Sequence, residues 1–139
     1  MTRSSGTTPP LPPQRKKPRS RGAGDEAATV AELRRAVQTF VDERDWRKFH
    51  TPKNLAMSLA IETAELMEHF QWLDVTESVA RGRDPSCRDQ IAEEIADVCC
   101  YLLSLVNALE LDLSQAVRAK LLKNARKYPA EEFRGKSGR

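Results

Sequence analysis

The sequence predicts an all-α protein with a four-helix bundle-like fold, and three observations carry that prediction. Apolar residues recur every three or four positions in four stretches, and nothing alternates with period two for long enough to suggest a strand. Capping residues or prolines also stand where several of these stretches begin. The first, about Thr29 to Arg44, places Val30, Leu33, Val37, Phe40 and Val41 on one helix face. It leads into Asp45-Trp46-Arg47-Lys48-Phe49-His50, a connection rich in aromatic and cationic groups. Thr51 then suits an N-cap and Pro52 the first helical position, where its missing N–H costs nothing, so a second helix is expected to about Gln71. Leu73 to Ser86, containing Gly82 and Asp84-Pro85, reads as a connection with one helical turn. The third helix, about Cys87 to Leu109, is the most apolar part of the chain. Asp112 and Gln115 make a capping pair for a fourth, which ends before Pro129.

Composition divides the 139 residues into three parts. Residues 1–24 hold six basic and no acidic residues, five of the eight prolines, and Leu11 as their one large apolar residue after Met1. Such a segment buries too little surface to offset the entropy of ordering it, and a disordered basic tail is expected. The folded unit is expected at 25–129, where the charge balance is acidic, and residues 130–139 as a flexible polar tail. No apolar run approaches the ~20 residues of a membrane span, and the start lacks the apolar stretch of a secretory signal. A soluble cytoplasmic protein with no membrane partner is expected. Five prolines also spoil the amphipathic helix of an organelle transit peptide. Cys87, Cys99 and Cys100 are odd in number and lack zinc-site spacing, which suits reduced thiols acting as small apolar residues.

Chemistry enters through the acids. Glu62 and Glu65 are three apart on the second helix, and Glu94 and Asp97 three apart on the third, so each pair projects from one face. Both pairs border apolar stripes that must be buried: Leu55, Leu59, Leu66 and Phe70 on one helix, Ile91, Ile95, Val98, Leu102, Leu105 and Val106 on the other. If the stripes meet, four carboxylates converge at the edge of the core. Such a cluster repels itself, and a hard divalent cation with oxygen ligands, magnesium foremost, is the natural compensation. A single exposed acid is ordinarily a solvated charge; two such pairs against the two most apolar stripes are less ordinary. A helical di-iron site needs Glu-x-x-His on two helices, and neither His50 nor His69 follows a glutamate at that spacing. Trp46, Phe49, Phe70, Trp72 and Tyr101 cluster around these acids in sequence, and aromatic faces there could hold a planar base. Lys120, Lys123, Asn124, Arg126 and Lys127 supply phosphate-compatible donors on the fourth helix, where last-turn cations also complement the helix dipole.

Phe49-His50-Thr51-Pro52-Lys53-Asn54-Leu55, Glu62-x-x-Glu65, Phe70-Gln71-Trp72, Glu93-Glu94-Ile95-Ala96-Asp97-Val98, Lys120-x-x-x-Asn124 and Tyr128-Pro129 occur in that order. This set resembles the all-α nucleoside triphosphate pyrophosphatases of the MazG-like superfamily, most closely the deoxycytidine triphosphate pyrophosphatase branch, over about residues 28–130. The resemblance implies hydrolysis of a nucleoside triphosphate to monophosphate and pyrophosphate, with Mg2+ held by Glu62, Glu65, Glu94 and Asp97. It further implies nucleotide contacts from Trp46, Arg47, Lys48, Phe49, His50, Trp72 and Tyr101, with Lys120 and Asn124 as contributors. Family members are homodimers or dimer-of-dimers tetramers whose sites draw on two chains, so the MazG-type bundle is expected to be completed by oligomerisation. Two positions depart from relatives: Ile61 stands where many members have an acid, and Val37 where some close relatives have a substrate-contacting histidine.

A competing expectation is a non-catalytic helical oligomer whose basic tail binds nucleic acid or another acidic partner. The tail has no aromatic residue for base stacking and no recognisable binding fold, so a nucleic-acid partner is disfavoured.

Overall fold

A computed structural model describes residues 24–136 of the chain, and the described residues contain helices and turns with no strand. The helices are α1 (Val30–Asp42), α2 (Pro52–Glu68), α3 (Val75–Arg83), α4 (Pro85–Ala108), α5 (Leu113–Lys127) and α6 (Ala130–Phe133), with a 3-10 turn at Arg47–Phe49. Of the expected basic tail at 1–24, residues 1–23 lie outside the described residues, as do residues 137–139 of the expected C-terminal tail.

Local chemistry sets these boundaries. Thr29 accepts from the Glu32 N–H while the Glu32 carboxylate accepts from the Thr29 N–H, a reciprocal cap that starts α1. Thr51 caps α2 through the Asn54 N–H, with Pro52 at its first turn. Asp112 accepts from the Gln115 N–H and side chain to start α5, the pairing expected from sequence. α1 and α4 end alike. Asp45 and Glu110 adopt left-handed backbone at φ 52°, and the next N–H of each reaches back, Trp46 to the Val41 carbonyl and Leu111 to the Val106 carbonyl, both at 3.1 Å. This six-to-one bond satisfies a carbonyl that the helix end leaves open.

The structure corrects one expected connection. Most of residues 73–86 form a nine-residue helix, α3, because Asp74 and Glu77 make a second reciprocal cap. Asp84-Pro85 is no loop either: Asp84 caps α4 through the Ser86 N–H and Pro85 occupies its first turn. Beyond Pro129, residues expected to fray form the short α6, whose Phe133 ring meets Tyr128 edge-on at 5.3 Å.

α4 is the central element, about 36 Å long, and α1, α2 and α3 pack against it, α2 most extensively. The buried side chains are Val41 of α1, Leu55 of α2, and Cys87, Ile91, Leu103, Ser104 and Val106 of α4. Leu55 is buried most completely, and burial of a leucine contributes about 1.5–3 kcal/mol. Arg34 and Asn107 bolt α1 to α4: Arg34 Nε donates to Asn107 Oδ1 at 2.8 Å, and Asn107 Nδ2 returns a bond to the Arg34 carbonyl at 3.1 Å. α5 packs little against the rest and exposes Val117, Leu121 and Leu122. Ile61, Met57, Ile95 and Trp72 are exposed as well, so a single chain leaves much apolar surface uncovered. No helix of the described residues is long and apolar enough to cross a membrane.

Candidate active site

The packing of α2 on α4 brings the two acidic pairs face to face. Glu62 and Glu65 sit one turn apart on α2, and ligand oxygens of Glu62, Glu65 and Glu94 lie within 4.8 Å of one another. Desolvation raises the Glu62 carboxyl above the ordinary carboxylate range, and the negative charges of Glu65, Asp97 and Glu94 push it the same way. Asp97 is therefore an electrostatic neighbour of the trio, although its carboxylate is not among the three that converge. The donor set is three hard carboxylates with little competing positive charge, which fits a hard divalent cation of the magnesium or calcium type. Sulfur and imidazole, the ligands of softer metals, take no part in this cluster.

Asp97 faces a cleft of about 470 Å³ between α1 and α4. α1 contributes Ala36, Val37, Phe40 and Val41, the connection adds Trp46 and His50, and α4 supplies Asp97, Cys100, Tyr101 and Ser104. Trp46 is held from behind: its ring meets Phe40 edge-on at 5.9 Å, and the Arg44 guanidinium lies 3.6 Å over Phe40 while donating to the Phe40 carbonyl. Asn54 of α2 donates to the Phe49 carbonyl at 3.0 Å and ties the 3-10 turn to the helix that follows. A neighbouring hollow, lined by Phe49, His50, Ser58, Ile61 and Tyr101 among others, opens beside the cleft.

Trp46, His50, Tyr101 and Asp97 are thus gathered at one cleft, with Phe49 next to it. The remaining expected contacts are placed elsewhere within the chain. Arg47 forms a two-pronged pair with Asp42 and lines an adjoining hollow with His50 and Ser104, and Lys48 reaches Asp45 at 2.7 Å. Trp72, just past α2, is 85% exposed, and Lys120 and Asn124 lie on the loosely packed α5; none of the three lines the cleft. Desolvation, with Cys99 and Asp97 beside it, raises the Cys100 thiol above its ordinary value, the direction that disfavours a thiolate nucleophile there.

Residues 57–138, which include all four acids, match the family model described as MazG-like. The chain belongs to the MazG-like family. Among its relatives, dCTP pyrophosphatase 1 of Mus musculus is 40% identical over 107 residues, covering 77% of this chain and 63% of that protein. The Homo sapiens protein of the same name is 40% identical over 109 residues, covering 78% and 64%. The chain therefore spans a little under two thirds of the length of these curated relatives. A pyrophosphatase from Archaeoglobus fulgidus DSM 4304, known from its crystal structure, superposes with a TM-score of 0.68 at 44% identity, covering 72% of this chain and 92% of that one. The likeness runs to the dCTP pyrophosphatase branch of the MazG-like proteins, and it fits the all-α fold.

Within this MazG-like chain, Phe40, Cys100 and Ser104 also line the cleft, and the motifs did not point to them. A signal for Ser104 existed: Asp97, Tyr101 and Ser104 follow the i, i+4, i+7 spacing of one helix face.

Proposed function

We propose that the protein is a magnesium-dependent nucleotide pyrophosphohydrolase that cleaves a deoxynucleoside triphosphate, dCTP or a base-modified dCTP, to monophosphate and pyrophosphate. The observation that carries this reading is the convergence of Glu62, Glu65 and Glu94 beside a base-sized cleft whose rim bears Asp97. The names of the relatives point to the same chemistry.

Glu62, Glu65, Glu94 and Asp97 would hold the cation. Bound there, it offsets charge on the phosphate oxygens and acidifies water. The chain's own groups do the rest. The carboxylates fix where the triphosphate lies, and one α2 carboxylate, Glu62 or Glu65, accepts the proton of the attacking water. Water adds to the α-phosphorus, the bond to the bridging oxygen of the β-phosphate breaks, and pyrophosphate departs. Trp46 and Tyr101 flank the base, and His50 offers a hydrogen bond to a base edge or the sugar.

A second copy of the chain is part of the reading. Exposed Trp72, the apolar side chains of α5, and Lys120 and Asn124 have no role at the cleft of their own chain, and a dimer or dimer of dimers gives them a place at a partner's cleft. The test is a panel of common and modified nucleoside triphosphates with Mg2+, read by pyrophosphate release. Release from dCTP or its derivatives is expected, with loss on Glu65→Gln. No release from any nucleotide by the folded protein overturns the reading.

A further inference from the structure

The cleft beside Asp97 is apolar on its α1 wall, where Ala36, Val37, Phe40 and Val41 contribute no hydrogen-bonding side chain. Ser104 breaks that pattern from the opposite side. Its side chain is the buried polar one among the described core residues, at 7% exposure, and it lines both the main cleft and the adjoining hollow of about 290 Å³. His50 lines the same two spaces. Seven residues along α4 separate Ser104 from Asp97, a distance of about 10 Å, with Tyr101 between them. Phosphates placed at the carboxylate end would therefore leave the base at the Ser104 end, between the apolar α1 wall and the buried Ser104 side chain.

We propose that Ser104 is a specificity-determining residue whose hydroxyl, with His50 beside it, hydrogen-bonds the polar edge of the nucleotide base. The proposal rests on the function read above and deepens it by naming what reads the base. A hydroxyl donates and accepts, so it satisfies an amino group or a carbonyl, whereas an apolar residue there would leave the base's polar edge buried without a partner. Discrimination then arises between bases that present a hydrogen-bonding edge at this depth and analogues that present a C–H or methyl there.

The test compares wild type with Ser104→Ala and Ser104→Thr, each checked for an unchanged melting temperature and helical circular dichroism. With dCTP and Mg2+, Ser104→Ala is expected to raise KM about three- to tenfold, the worth of one neutral hydrogen bond, with kcat little changed. Ser104→Thr, which keeps the hydroxyl, stays near wild type. An analogue in which a C–H replaces the base's hydrogen-bonding group should lose the difference between wild type and Ser104→Ala. Equal KM for wild type and Ser104→Ala, or a defect confined to kcat, overturns the proposal. Binding of deoxycytidine without phosphate or metal, followed by Trp fluorescence, separates this idea from the catalytic one. If the wild type hydrolyses nothing, weaker nucleoside binding by Ser104→Ala still supports a base-reading role. Equal binding, or no binding by either protein, overturns it.

Discussion

Glu62 of α2 and Glu94 of α4, thirty-two positions apart in sequence, bring carboxylate oxygens within 4.8 Å of each other, with Glu65 in the same group. An uncompensated trio of this kind destabilises the fold it sits in, because like charges meet where solvent is partly excluded.

That repulsion makes cation binding visible in stability. Magnesium at a hundred times its dissociation constant should stabilise the folded protein by about 2.7 kcal/mol through mass action. Glu62→Gln should raise the melting temperature of the cation-free protein, by removing one repelling charge, and should abolish most of the magnesium-dependent rise. Differential scanning fluorimetry of both proteins, with EDTA and with MgCl2, checks the pair of effects.

The connection that carries Trp46 depends on an ion pair. Arg47, then Gln38, hydrogen-bond to Asp42 and lower its carboxyl from 3.8 to about 2. A depressed folded-state value means that the stabilisation is present above the unfolded value and is lost as pH falls through the folded one. The stability advantage of wild type over Asp42→Asn should therefore be constant above about pH 5 and shrink between about pH 4 and pH 2. Both partners are exposed, so the effect should also fall with added salt. Urea melts across this pH range at two ionic strengths provide the measurement.

Glu110 holds a left-handed backbone at the end of α4 without being glycine. Glu110→Gly should relieve that conformation and, after the extra freedom given to the unfolded chain, stabilise by about 0.5–1 kcal/mol. A rise in the urea midpoint with an unchanged m-value is the expected result.

The reciprocal bonds between Arg34 and Asn107 are partly buried. Asn107→Ala should cost about 1–2 kcal/mol, since it removes both bonds and leaves the Arg34 Nε without its partner. In a double-mutant cycle, Arg34→Ala combined with Asn107→Ala should cost less than the two singles added together.

How far the sequence reveals this molecule depends on whether the signal is local. The caps at Thr51 and Asp112 and the apolar faces of α1, α2 and α4 are written in adjacent residues, and the helices form where they predict. α3 was equally local, through Asp74-x-x-Glu77, but Gly82 and the short, polar composition of the segment masked it. At the site, i, i+3 spacing placed each acidic pair on one face, but which three oxygens converge depends on how α2 lies against α4, a matter of side-chain fit. Spacing alone likewise says nothing of Arg47 and Lys48 pairing with Asp42 and Asp45, which compete with any ligand for them. Ser104, a serine within an apolar helix, has the sequence context of a small core residue, and only the cleft formed with α1 distinguishes it.

The most direct test of the central claim is phosphorus NMR of dCTP incubated with the protein and Mg2+, repeated with Glu65→Gln and Asp97→Asn. The account predicts dCMP and pyrophosphate in equal amounts, and a fall of more than about 10²-fold in either variant, since each forfeits several kcal/mol of charge stabilisation. Formation of dCDP and orthophosphate, or undiminished turnover in the variants, would contradict it.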